Sequence, residues 1–394
     1  MLSIRRTVFL LSAIVSFGIT ILSFYNKFNS MTIKQAEIQF WNKIKNPIHC
    51  ISKWITKIDM YPGSRKFQDW DIYFSNSSCP KYPIPKEGVI FHFLHVGKWR
   101  PALEVAIDAF LATQNLNAGH RIYYWYVEAI PKQVTQRYQR FKNSIQFRYF
   151  NSTEEIRGTC LEHKREFIDD KYAADLSFPI QTRSDMIRQL LMSKYGGAWL
   201  DTDAVPLRNL EPMLRIGPFA QGTGNNHWNN HFLYYGPKES GIAKKMLDII
   251  CEMPYNKTAF YLKFDERPNL WYWLYNDGLH KIAVNRGIGI SYFPVCFTDG
   301  RFWNCKKQRS LHPCQDNGML RLPTKTPIQL QQLFVWHGRI VQFNDSCLSY
   351  SQLPNITVSI LIWLRAQSLI KKNMIGNGQT LFPSSFRLKT IDDL

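Results

Sequence analysis

Residues Thr182 to Leu210, TRSDMIRQLLMSKYGGAWLDTDAVPLRNL, constrain the fold more than any other stretch, because four local signals follow one another within them. Ser184 suits an N-cap, since its hydroxyl can accept from a free amide of a first helical turn. Met186, Ile187, Leu190, Leu191 and Tyr195 recur at helical spacing and form one apolar face. Gly196 and Gly197 can take the left-handed conformation that ends such a helix. Ala198-Trp199-Leu200 is short and wholly apolar, as expected of a strand covered on both faces. At its carboxyl end stand Asp201, Thr202 and Asp203, where ligands of open α/β sheets gather.

Two carboxylates at i and i+2 on extended chain point to the same side. Their repulsion is relieved best by a hard divalent cation. On the preceding helix Asp185 and Arg188 are three apart, hence neighbours on one face, and near the helix start they can reach the acidic loop. Each pair alone has a plainer explanation: a solvated surface ion pair, and turn formers ahead of Pro206. Together, on a frame of helix, Gly-Gly, strand and DxD, they describe a site. A second DxD, Asp69-Trp70-Asp71, has no apolar strand before it and no partner helix, so it is read as a decoy.

The pattern SDxxRxxxMxxxGGxxxDxD, followed by Pro and Leu, resembles the DXD-containing sugar-binding region of glycosyltransferase family 32, with Trp199 where that family usually has Tyr. The resemblance implies an α/β fold of the GT-A type, a Rossmann-like mixed sheet that binds a nucleotide sugar. It implies Mn2+ (or Mg2+) on Asp203, with Asp201 on the ribose or supporting the metal. Asp185 and Arg188 would hold the transferring sugar. The family retains anomeric configuration, which implies an α-linkage; no side chain stands out as a nucleophile, so a front-face displacement is the default. Asn230, before His231-Phe232-Leu233 in a turn-rich, amide-rich stretch, matches a family Asn near the donor sugar. His92 and Gly97 match the family's first-strand His and Gly, while His95 stands where a Trp often stacks on the base. His92 itself reads as a satisfied core histidine. His337, in the interrupted strand pattern FVWHGRIVQF, matches a late histidine that binds the metal in related transferases.

Composition and charge extend this reading. A chain of 394 residues, 45% apolar and 14% aromatic, can bury a substantial core. The net charge of +19 comes from scattered basic residues without an arginine-rich run, which argues against nucleic acid and for anionic donors, acidic glycans or headgroups. Thr7 to Tyr25 carry no charge and as a helix reach about 28 Å, close to the hydrocarbon thickness of a bilayer. Arg5 and Arg6 before them favour a cytosolic N-terminus and a lumenal remainder. No A-x-A cleavage site follows, so an uncleaved anchor is preferred to a signal peptide. Sequons at Asn76, Asn151, Asn256, Asn344 and Asn355, and eight cysteines without a C-x-x-C pair, suit an oxidising lumen and offer no zinc spacing. Cys305 and Cys314 are expected to join; the other pairings stay open.

The expected organisation is a cytosolic tail at 1–6, a single span at 7–25, a stem at 26–85, a catalytic domain at 86–350 and a helical extension at 351–394. The domain should open with strands at Val89–Val96 and Arg121–Val127 around a helix at Leu103–Leu116, a βαβ unit, with a third strand at Ile145–Phe150. Trp271, Tyr272, Trp273 and Tyr275 read as core, and Ile356 to Leu364 as part of a terminal helix packed on the domain. The whole is expected to be a Golgi type II membrane transferase moving a sugar from a nucleotide-diphosphate donor to a glycan or glycolipid. Two other readings compete with it. DTDAV also fits the DxDx[TV] signature of haloacid-dehalogenase-type phosphatases with Asp201 as nucleophile, although the late acidic pair Asp392-Asp393 lies two residues from the end. A membrane-anchored glycan-binding protein without turnover is the other.

Overall fold

The structure, a computed structural model, describes residues 82–163, 180–223, 227–252, 283, 286–288, 290–294, 319–321, 333–337, 355–383, 385 and 386. The predicted span, the stem to residue 81, the decoy DxD, the aromatic run at 271–275 and the Cys305–Cys314 pair lie outside these residues. Among the described residues, no helix is long and apolar enough to cross a membrane.

In chain order the first elements are β1 (Ile90–His95), α1 (Glu104–Thr113), β2 (Arg121–Tyr126), α2 (Lys132–Arg137), β3 (Ile145–Tyr149) and α3 (Ser152–Ile156). Then come α4 (Ile180–Tyr195), β4 (Ala198–Leu200), β5 (Ala204–Pro206), α5 (Glu211–Leu214), β6 (Phe219–Thr223), β7 (His227–Tyr234) and α6 (Ile242–Glu252). Short strands β8 (Ser291–Pro294), β9 (Met319–Arg321), β10 (Val335–His337) and β11 (Asn355–Thr357) precede α7 (Val358–Lys371).

Seven strands form one sheet in the order β3-β2-β1-β4-β7-β6-β8. From β3 to β4 all neighbours are parallel, whereas β7 runs antiparallel to both β4 and β6. The result is the expected mixed α/β sheet, and β1-α1-β2 is the expected parallel unit. The turn-rich, amide-rich stretch is not a loop. It supplies the antiparallel pair β6 and β7, whose alternation of Phe219, Phe232 and Tyr234 into the core outweighs the turn propensity of its Gly and Asn residues.

Period-two alternation sorts β1 between two cores. Phe91 and Phe93 pack with Val105, Ile107 and Phe110 of α1 and with Leu361, Ile362 and Leu369 of α7. Leu94 and its neighbours Trp125 and Trp199 pack with Met186, Leu190 and Leu191 of α4 and Met246, Leu247 and Ile250 of α6. The sheet is thus covered on both faces, which is why β4 can be wholly apolar. The terminal helix docks on the domain as expected but starts at Val358, because Ile356 and Thr357 pair with β9 in β11. One buried carboxylate fastens the helix: Asp108 of α1 accepts from Trp363 Nε1 at 2.9 Å, Arg137 Nη2 at 2.6 Å and Tyr138 Oη at 2.8 Å.

A disulfide joins Cys160 to Cys251 in α6, a pairing that the cysteine spacings left open. It ties the segment after α3 to α6, on the same side of the sheet as α4.

Candidate active site

α4 starts at Ile180, four residues before Ser184, so that serine lies inside the helix and does not cap it. Pro179 precedes the helix in sequence, and a proline is well suited to a helix start. The earlier start moves Asp185 into the second turn and Arg188 into the third, where each is only 2% exposed. A solvated surface pair is thereby ruled out. The two are a buried ion pair, Arg188 Nη2 to Asp185 Oδ1 at 3.2 Å.

The Gly-Gly stop is required twice over. Gly196 has φ +70 and Gly197 φ +90, and a Cβ on Gly197 would lie 2.2 Å from the Ile90 carbonyl oxygen. The helix ends where Gly196 N donates to Met192 O at 2.9 Å. His92, fully buried in β1, then clamps the corner: its Nε2 donates to Gly196 O at 2.8 Å, and its Nδ1 accepts from Trp125 Nε1 at 3.1 Å. The core role expected for His92 is its role, and burial lowers its pKa to about 4. Strand β4 leaves this corner between β1 and β7 and delivers Asp201 at the sheet's carboxyl edge.

Asp201 and Asp203 converge for a different reason than strand alternation. Residues 202 and 203 form a turn, closed by Ala204 N donating to Asp201 O at 2.8 Å, and the chain reverses into β5. Beside β5 lies β10 in antiparallel register, with His337 opposite Ala204. His337 Nε2 comes within 3.3 Å of Asp203 Oδ1. One ligand atom each from Asp201, Asp203 and His337 lie within 4.8 Å of one another, so the three residues named from sequence form one cluster that could hold a metal ion. Two carboxylates and an imidazole suit a divalent cation that accepts oxygen and nitrogen donors.

Asp201 is oriented by two donors on one oxygen. Arg188 Nη2 reaches Oδ1 at 2.8 Å and Trp199 Nε1 reaches it at 2.7 Å, while the Arg188 guanidinium lies 4.8 Å from the Trp199 ring centroid. Burial pushes the Asp201 carboxyl above the usual carboxylate range, Arg188 draws it down and Asp203 adds to the rise. The second carboxylate is what a bound cation would offset.

Two further sequence candidates sit apart from this cluster or beside it. His95 ends β1 and donates through Nε2 to Lys98 O at 3.0 Å, with Trp99 edge-on at 6.2 Å. Asn230 lies in β7, one residue before His231, on the strand that flanks β4. Sequence reasoning passed over the roles of four residues. Trp199 was read as a buried strand residue and an aromatic replacement, yet its indole N–H also fixes Asp201. His231 is fully buried, its carbonyl accepts from Asp201 N at 2.8 Å and its ring stacks on His337. Tyr126 and Tyr149 continue the row of His95 across the carboxyl edge as its registered partners, and Tyr149 is 58% exposed. Strand ends with an exposed aromatic were the available signal for the last pair; nothing local marked His231.

Comparison with known proteins bears on the same residues. Residues 129–221 match the family model for a glycosyltransferase sugar-binding region containing a DXD motif. Over 118 residues the chain is 25% identical to mannosyl phosphorylinositol ceramide synthase of Saccharomyces cerevisiae, which covers 30% of this chain and 30% of that protein. The chain therefore spans under a third of the length of that curated relative. Among solved structures it is similar to the PaToxG glycosyltransferase at 15% identity and TM-score 0.35, covering 64% of this chain and 80% of that one. It is also similar to the galactosyltransferase LgtC with donor and acceptor sugar analogues at 11% identity and TM-score 0.36, covering 71% and 95%. The segment that carries Asp185, Arg188, Asp201 and Asp203 is the segment the family model matches, and over it the chain is similar to the DXD-containing glycosyltransferases.

Proposed function

We propose that this chain transfers a sugar from a nucleotide-diphosphate donor to a glycan or glycolipid hydroxyl on a GT-A-type domain, with Mn2+ or Mg2+ as cofactor. The observation that carries the proposal is the cluster of Asp201, Asp203 and His337 at the carboxyl edge of a mixed sheet, inside and next to the matched region. Asp203 and His337 would hold the ion, with Asp201 supporting it or the ribose. The ion would neutralise the charge that develops as the nucleoside diphosphate leaves.

The chain's own groups supply orientation. Arg188 and Trp199 fix Asp201 through Oδ1 and so fix which way its other oxygen faces. Asp185 holds Arg188 from behind, and a rigid donor-set costs little reorganisation when charge appears. In this proposal Asp185 and Arg188 also contact the transferring sugar, and Asn230 approaches it from β7. The donor base would follow the row of His95, Tyr126 and Tyr149: neighbouring strands are about 4.8 Å apart, so the row leads away from Asp201 in steps that suit a ribose and a base. Transfer with retention by front-face displacement completes the reading.

A glycolipid acceptor is favoured by the name of the yeast relative, a synthase of a phosphorylinositol ceramide. A net charge of +19 suits an acceptor that carries phosphate. The lumenal Golgi setting behind the span at 7–25, with stem 26–85 and domain 86–350, belongs to the same proposal and rests on the charge pattern and the sequons. Protease added to intact microsomes should spare nearly the whole chain, and digestion of its C-terminal part in sealed vesicles would refute that topology. For the activity, the full chain is offered a panel of nucleotide sugars with Mn2+ or with a chelator. Release of nucleoside diphosphate from one donor only with the metal is expected; turnover of every donor equally, or of none, would count against it.

A further inference from the structure

Two separate pairs of strands meet at the acidic turn. Along one side, β7 runs antiparallel to β4 with Phe232 opposite Leu200, and the pairing continues one step as Asp201 N donates to His231 O at 2.8 Å. Along the other, β10 runs antiparallel to β5 with His337 opposite Ala204. The turn at 201–203 joins β4 to β5 and so brings the ends of β7 and β10 together. Where they meet, the His231 and His337 rings stack with centroids 4.0 Å apart and planes 17° from parallel.

Resting on the metal-dependent reading above, we infer that His231 is a positioning residue for His337: it holds the plane of that ring so that Nε2 faces Asp203 and the site of the ion. His337 is the last residue of β10 and pairs with Ala204 of β5. A side chain at such an end has two torsions to fix before its nitrogen can bind an ion. Metal-binding histidines are usually fixed by a hydrogen bond to the ring nitrogen that does not bind the metal. Here a second aromatic ring covers one whole face, which fixes the plane without specifying a hydrogen bond.

Burial supports the assignment. His231 is 0% exposed and His337 9%, so the stack excludes water from the far side of the ring and leaves its edge toward Asp203. Because His231 also grips Asp201 through its carbonyl, one residue sets the orientation of parts of the cluster from both strand pairs. A flat ring at position 231 is the requirement. Phenylalanine should supply it and alanine should not.

The test uses Mn2+ alone, with no donor, titrated into the full chain while the signal of the free ion is followed by electron paramagnetic resonance. His231→Ala should weaken Mn2+ binding roughly ten-fold, the lower end of what loss of such a supporting group costs a metal site. His231→Phe should bind close to wild type. Thermal melting of each variant separates this from general damage: a purely structural role lowers Tm in His231→Ala but leaves Mn2+ affinity of the folded protein unchanged, and that result would overturn the inference. Equal weakening by Phe and Ala would overturn it as well. If wild type binds no Mn2+, or His337→Ala binds it as well as wild type, the inference falls together with the metal assignment. The first two failures leave that assignment standing.

Discussion

Acid should loosen this fold through one identifiable side chain, His92. Its Nδ1 accepts from Trp125 and its Nε2 donates to Gly196 O, so the folded state needs the neutral ring, and a second proton would face the Trp125 N–H. Burial lowers its pKa from 6.5 to about 4, while in the unfolded chain it returns to the ordinary value. The sign follows from which state binds the proton. Between these pH values the unfolded chain binds it and the folded chain does not, so stability is complete above about 6.5 and falls as pH drops toward about 4. A fall from 6.5 to about 4, at about 1.4 kcal/mol per pH unit, gives a ceiling between about 3 and 4 kcal/mol, of which about 2 kcal/mol should be lost between pH 7 and pH 4.5. His92→Gln is the control, because a carboxamide can accept and donate in the same place but does not titrate. Urea denaturation at pH 7, 5.5 and 4.5 should show wild type losing about 2 kcal/mol more than the variant. Parallel pH profiles for the two proteins would refute the reasoning. The corner matters for chemistry because Gly196 sits two residues before the strand that delivers Asp201.

Other consequences can be checked with single substitutions. Cys160→Ser removes a crosslink spanning 91 residues of sequence and should cost about 2–5 kcal/mol in urea unfolding; an unchanged midpoint would contradict a structural disulfide. Gly197→Ala places a Cβ 2.2 Å from the Ile90 carbonyl at φ +90 and should destabilise by more than about 1 kcal/mol, with a native-like Tm as the contrary result. Arg188→Ala should collapse sugar transfer yet bind the free nucleoside diphosphate with Mn2+ nearly as well as wild type, since the ion offsets the Asp201 charge that Arg188 balanced. Equal loss of both would make the Asp185–Arg188 pair purely structural.

Much of this was legible in sequence where one local rule decided the outcome. The apolar triplet Ala198-Trp199-Leu200 could only be a doubly covered strand, and the Gly-Gly before it could only be a stop; both hold. β1, α1 and β2 appear within a few residues of their predicted bounds, because period-two and helical patterns there do not compete. The start of α4 was misplaced, since Ser184 carries a capping side chain but lies on a helix already begun. The stretch around β6 and β7 was misjudged for the opposite reason: its Gly and Asn residues favour turns, and pairing with β4 overrides them. In the site, Asp185, Arg188, Asp201, Asp203 and His337 were each named, and the structure brings all five together. The Trp199 hydrogen bond, the His231 stack and the Cys160–Cys251 bridge depend on approaches between distant strands and helices, which no spacing along the chain encodes.

The central claim is that Asp203 and His337 hold a cation for a nucleotide-sugar donor, with Asp201 supporting the ion or the ribose, and that Asp201 does not attack phosphorus. The most direct measurement incubates wild type and Asp203→Ala with Mn2+ or Mg2+, offering nucleotide sugars in one reaction and a simple phosphomonoester in the other. Wild type should release nucleoside diphosphate from a nucleotide sugar and leave the phosphomonoester intact. Asp203→Ala should lose turnover and Mn2+-dependent donor binding together, because removing a carboxylate takes both charge and geometry from the site. Phosphate trapped covalently on Asp201, with no nucleoside diphosphate released from any donor, would contradict the account.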